Sequence, residues 1–158
     1  EVHGYAVGGA VLLMAACDLR VAAEDAVFSI PEVELGIPLA WGGIPRLVRE
    51  IGPAMTKELV ITCRRFTPQE AKAIGLINRV VPAEQLEEHT MELANEIAAM
   101  PAVPVAITKE HVNAVTRARA GGSSYADGDV LLSAFDSAES LEARKAYVAR
   151  RLERKDGD

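Results

Sequence analysis

The segment Val2-His3-Gly4-Tyr5-Ala6-Val7-Gly8-Gly9-Ala10, running directly into the apolar stretch Val11 to Cys17, constrains this chain more than any other feature. It reads as the end of a strand, a tight glycine turn and the opening of a buried helix. Backbone N–H groups at such a turn point outward from the positive end of a helix, which makes a socket for an anion or a developing oxyanion. A Cβ at Gly8 or Gly9 would stand where a substrate carbonyl must approach the backbone. The same residues also suit a plain tight connection, so the turn alone names no function. The helix from Ala10 to Cys17 has no polar face, which predicts burial on all sides.

Beyond that helix the chain alternates between strand and turn. Asp18 to Ala23 returns as a strand, Glu24-Asp25 turns, and Ala26-Val27-Phe28-Ser29-Ile30 is a second strand by its β-branched and aromatic content. Strand, helix, strand in so few residues signals an α/β fold. Two prolines and a glycine in Pro31-Glu32-Val33-Glu34-Leu35-Gly36-Ile37-Pro38 rule out a helix, so Glu32 and Glu34 are expected on an extended, irregular loop at a strand end. Two helices should come next, Ile44 to Ile51 and Ala54 to Thr62, broken by Gly52-Pro53. Thr67-Pro68-Gln69-Glu70 is a capping box with proline at the first helical position, and Gly75 ends that helix. Leu76 to Val81 reads as a strand stopped by Pro82. From Ala83 onward the pattern is helical: Leu86, Leu93, Ala94, Ile97 and Ala98 form one stripe, with glutamates facing away. Further helices are expected to about Arg119, over Ala126–Phe135 and over Ala138–Arg154, with Ala120-Gly121-Gly122-Ser123-Ser124 as a hinge.

With 158 residues, 49% of them hydrophobic, the chain can bury a core of its own. A net charge of -6 and a pI near 5.1 argue against a nucleic-acid or membrane-surface binder, because both need a basic field. Cys17 and Cys63 each fall in an apolar helical run, which predicts reduced, buried thiols and a cytoplasmic setting. The first residue is Glu1, directly inside a strand pattern, so the chain is expected to be the later part of a longer protein.

Several ordered blocks together carry a resemblance. Val2 to Gly9, Cys17-Asp18-Leu19-Arg20, Phe28 to Ile37, Trp41-Gly42-Gly43-Ile44-Pro45-Arg46-Leu47, Leu59-Val60-Ile61-Thr62 and Thr67 to Val81 are similar to the enoyl-CoA hydratase/isomerase, or crotonase, family. The resemblance implies an α/β architecture: residues 1–82 as the later part of a spiral of ββα turns with the acyl-CoA site, and 83–158 as a helical region for oligomerisation and for closing the CoA site. It also implies a trimer or a dimer of trimers, an acyl-CoA thioester as substrate and no cofactor beyond it. By the same likeness the family's other oxyanion-hole residue lies outside this chain.

The resemblance assigns Gly9 the N–H that meets the thioester oxygen, with Gly8 permitting the turn. Family hydratases flank the substrate with two glutamates, and here those places hold Leu12 and Glu32. Water addition uses the pair, and losing one removes roughly 10² to 10⁴ in rate. Moving a double bond needs one base, so a Δ3,Δ2-enoyl-CoA isomerase is expected, with an atypical hydratase or a non-catalytic acyl-CoA binder as alternatives. Leu39 and Trp41 are candidates for the acyl end of the site. Glu34, two residues on, is expected to share the side of Glu32, solvated or salt-bridged. Asp18 is expected to be a structural hydrogen-bonder and His3 a core or turn residue. His89 and His111 have no partners at metal-ligand spacing, so no metal is expected. The basic residues Arg144, Lys145, Arg150, Arg151, Arg154 and Lys155 suit either a helix C-terminus or the phosphates of CoA.

Overall fold

Short parallel strand pairs hold the first half together. In the computed structural model, which describes residues 1–117 and 127–155, β1 (Tyr5–Val7) pairs in parallel with β3 (Val27–Ser29). Likewise β2 (Val21–Ala23) pairs in parallel with β4 (Arg79–Val81). Parallel neighbours require a crossover, and the helix α1 (Gly9–Ala15) belongs to the one between β1 and β3. Val2 ties the two sheets: its N–H donates to the Val21 carbonyl at 2.8 Å, and its carbonyl accepts from Ala23 at 2.9 Å. Phe28 and Phe66 pair in an antiparallel bridge, and their buried rings stack 5.4 Å apart.

The span α2 (Gly43–Thr62) carries the expected break. Gly52, at φ +75° and ψ 167°, kinks it where Pro53 removes a donor, and the Thr56 hydroxyl satisfies the Gly52 carbonyl at 2.7 Å. Thr67 caps α3 (Pro68–Ala73) as expected, accepting from the Glu70 N–H at 3.2 Å, and Gly75 comes after it at φ +86°. The other half of the capping box does not form. The Glu70 carboxylate takes the Arg64 guanidinium, which also binds Glu58, because charge-assisted bonds outcompete a neutral backbone donor. Arg64 holds the Glu70 carboxyl below its ordinary range.

A 3₁₀ turn, Ala83–Gln85, leads into α4 (Leu86–Ala98), α5 (Ala102–Arg117), α6 (Asp127–Asp136) and α7 (Ala138–Lys155). The expected hinge at 120–124 lies outside the described residues. Leu86 packs with Val21 and Ala23 while Leu93 lies against them, so α4 leans on β2 as its stripe predicts. Ala94, Ile97 and Ala98 of that stripe remain exposed, and neither α5 nor α6 buries a residue.

The main core joins α1, the strands and α2 through Val11, Leu12, Phe28, Ile30, Leu47, Leu59 and Leu76. Arg20 is buried beside it. Its guanidinium reaches the Leu76 and Cys17 carbonyls and the Glu50 carboxylate at 2.8 Å, so its charge is paired and its donors are used. One basic side chain thus joins the turn after α1 to α2 and to the approach to β4.

Two burial expectations fail. Leu13 of α1 is 73% exposed, because only Val11, Leu12, Met14 and Ala15 turn toward the core. Cys17 lies beyond the end of α1 and is exposed, while Cys63 caps α2 in a left-handed conformation and is half-buried. Thr67→Ala should lower stability by about 1 kcal/mol, read as a lower urea midpoint at unchanged slope, and Thr67→Ser should restore most of it. An unchanged midpoint would mean that this cap carries no stability.

Candidate active site

Gly8 donates its N–H to the Ser29 carbonyl at 2.9 Å, which docks the glycine turn on the end of β3. Its backbone, at φ +57° and ψ −120°, lies in a region reserved for glycine. Space requires glycine too: a Cβ there would stand 2.7 Å from Glu32 Oε1. At Gly9 a Cβ would stand 2.9 Å from Trp41 Cζ3. Gly8 and Gly9 are therefore covered from two sides, by a carboxylate and by an indole. Gly9 and Ala10 open α1, where backbone N–H groups lack intrahelical partners, and among the described residues no acceptor occupies the Gly9 N–H.

Glu32 is reached by a loop wound into turns rather than extended. Leu35 N–H donates to Pro31, Gly36 to Val33 and Ile37 to the Glu32 carbonyl, at 3.0, 2.9 and 3.0 Å. This winding corrects the expectation that Glu34 shares the side of Glu32. Glu34 instead pairs with Arg150 on α7 at 3.1 Å. Glu32 keeps a buried Oε2 with no hydrogen-bond partner, and desolvation pushes its carboxyl above the ordinary carboxylate value. Its own backbone N–H opposes that shift only in part.

Leu12 and Leu39 are buried and meet over Gly43, where a Cβ would lie 2.8 Å from Leu12 and 2.9 Å from Leu39. They form an apolar floor continuous with the core. Trp41 lies at the rim, 77% exposed and at φ +60°. The turn that carries it is held from a distance, for Gly42 N–H donates to Asp127 Oδ2 on α6 at 2.6 Å. Nothing in the sequence singles out Asp127 beyond an acidic residue at a helix start. Two hollows lie beside this cluster rather than in it. One of about 350 Å³ is lined by Val2, His3, Tyr5, Leu13, Met14 and Cys17 among others. The other, about 210 Å³, lies between Ser29, Glu34, Cys63, Arg65, Tyr147 and Arg150.

The remaining candidates stand apart. His3 is exposed rather than in the core. Asp18 pairs with Lys109, a structural contact between the turn after α1 and α5. Of the basic residues on α7, Arg144 donates to the Phe135 carbonyl at 2.9 Å and covers its ring, and Lys145 pairs with Glu142. Arg150 holds Glu34, so these three cations have partners within the chain; the side chains of Arg151, Arg154 and Lys155 are outside those described. His89 bonds Glu92 and Gln85. Among the described residues no group of three or more His, Cys, Asp or Glu side chains is placed to hold a metal ion. None of the described helices is long and apolar enough to cross a membrane.

Comparison with known proteins places this geometry. A family model for enoyl-CoA hydratase/isomerase matches residues 1–155. A probable mitochondrial enoyl-CoA hydratase of Dictyostelium discoideum is 37% identical over 150 residues, covering 95% of this chain and 54% of that protein. The chain spans about half the length of the curated relatives it matches. Among solved structures, an enoyl-CoA hydratase from Mycobacterium avium subsp. paratuberculosis superimposes with a TM-score of 0.86 at 26% identity, over 94% of this chain and 62% of that one. Methylmalonyl-CoA decarboxylase in complex with 2-nitronate-propionyl-CoA gives 0.80 at 30% identity, over 93% and 57%. The expected crotonase-like α/β fold is therefore the fold of this chain.

The raised Glu32 carboxyl sets a pH dependence of stability. The folded chain holds that proton more tightly than the unfolded chain does, so stability falls as pH rises from the ordinary value of 4.5 to the raised folded value. Glu32→Gln has no charge to bury. Its melting temperature should match the parent below that window and exceed it above, in thermal scans across pH. A difference independent of pH would contradict the burial of an unpartnered carboxylate.

Proposed function

The chain belongs to the enoyl-CoA hydratase/isomerase family, and from that premise we propose that it carries an acyl-CoA site working with one carboxylate, Glu32. The reaction is double-bond isomerisation of a 3-enoyl thioester. Glu32 takes a proton from carbon 2, electrons move onto the thioester oxygen, and the Gly9 N–H stabilises the resulting dienolate. The same carboxyl then returns a proton to carbon 4, giving the conjugated 2-enoyl thioester. The step consumes no water and needs no cofactor beyond the thioester. Gly8 lets the carboxylate approach the turn, and Leu12, Leu39 and Trp41 bound the acyl group.

The observation carrying this reading is the Glu32 carboxylate beside Gly8, its Oε2 buried and partnerless, with Leu12, not a second acid, in the floor. A carboxyl raised by desolvation is a better base once ionised, as proton transfer near neutral pH requires. An acyl-CoA ligand agrees with the related decarboxylase bound to 2-nitronate-propionyl-CoA. Exposed apolar residues on α5 and α6, including Val103, Ile107 and Leu132, support the helical region as a contact between copies, in a trimer or hexamer. The free thiols of Cys17 and Cys63 suit the cytoplasm.

A second reading, water addition by Glu32 with another group, is favoured by the relatives named enoyl-CoA hydratases. Turnover decides between them. Glu32→Gln should slow isomerisation of 3-hexenoyl-CoA by about 10²-fold or more, followed by the absorbance of the conjugated product. Wild-type turnover in that variant would remove Glu32 as the base. Faster water addition to crotonyl-CoA than isomerisation would choose the hydratase, and thermal stabilisation by acyl-CoA without turnover would choose a non-catalytic binder.

A further inference from the structure

We propose that Asp127 is a positioning residue for this site, an inference that rests on the roles given above to Gly9 and Glu32. Trp41 and Gly42 are consecutive left-handed residues, at φ +60° and +65°. Glycine accepts that conformation freely, but a bulky aromatic residue is strained there and stays only where its surroundings hold it. The indole is largely exposed, so its own packing holds it weakly. Within the turn, one bond from Gly43 N–H to the Ala40 carbonyl at 3.0 Å closes the backbone. Arg46 N–H adds a long bond to the Gly42 carbonyl at 3.4 Å, and from outside the turn the Asp127 carboxylate, 85 residues on in sequence, accepts from Gly42 N–H at 2.6 Å in a partly buried, charge-assisted bond.

This clasp decides where the indole goes. With the turn held left-handed, Trp41 Cζ3 lies against Gly9, over the backbone whose amide receives the oxyanion. Freed from Asp127, Trp41 can relax to negative φ and carry its ring away, opening one wall of the site to water. The helix α6 therefore takes part in setting the geometry of a site built on α1. Asp127 touches no substrate and acts only through Gly42 and Trp41.

Trp41 is the sole tryptophan in the chain, so its fluorescence anisotropy, with Trp41→Phe as blank, reports the turn without substrate. Asp127→Ala should lower that anisotropy and reduce kcat for 3-hexenoyl-CoA about tenfold or more, with KM changed by less than about threefold. Asp127→Asn, whose amide oxygen still accepts from Gly42, should recover most of both. If Asp127→Ala lowers the melting temperature but leaves anisotropy and kcat at wild-type values, Asp127 is structural and the proposal falls. Should that variant fail to fold, exchange of the Gly42 amide in the wild-type protein decides: protection supports the clasp, and exchange as fast as a free peptide overturns it. Absence of isomerisation by the wild type would sink the one-base reading, whereas the anisotropy comparison would still decide the clasp.

Discussion

A single carboxylate oxygen, Glu32 Oε2, is buried without a partner, and the proposed one-base chemistry depends on that desolvation. Ionising such a group costs stability, because water is lost and no donor replaces it. A chain keeps a cost of this kind where the same group gains basicity from it. Arg20, the other buried charge near the core, has its cation paired and its donors used.

The surroundings of that carboxylate are made largely by backbone. Gly8 docks on β3 through Ser29, the loop after β3 winds back on itself through three main-chain bonds, and the absence of a Cβ at Gly8 leaves room for the carboxylate. Below lie Leu12 and Leu39 over Gly43, so the floor of the site is also core. Placement of Glu32 is thus a consequence of how the core packs. The far end of α1 is fixed in turn by the Arg20 contacts to Cys17, Leu76 and Glu50.

Local chemistry made much of this legible in the sequence. The glycine turn, the break at Gly52-Pro53, the Thr67 cap and the alternation of strands with helices depend on neighbours a few residues apart, and those elements form as expected. What could not be read depends on distant partners. Glu34 leaves the side of Glu32 because its loop winds into turns and Arg150, more than a hundred residues on, pairs with it. Glu70 abandons its capping box because Arg64 offers charge. Leu13 and Cys17 are exposed because an apolar run specifies a tendency to be buried and says nothing of which side finds a partner. Asp127 was invisible for the same reason, since its acceptor role exists only once α6 lies beside the Trp41 turn.

Besides the packing of α4 on β2, side chains of the helical second half reach loops of the first: Arg150 on Glu34, Lys109 on Asp18 and Asp127 on Gly42. Each pins a loop next to the glycine turn or its helix. Infrared difference spectroscopy between the protein and Glu32→Gln observes the desolvated acid itself. A protonated carboxyl band, lost in the variant, should persist as pH is raised above the ordinary value of 4.5. A band that disappears at or below that value would show a solvated carboxylate and contradict the one-base site.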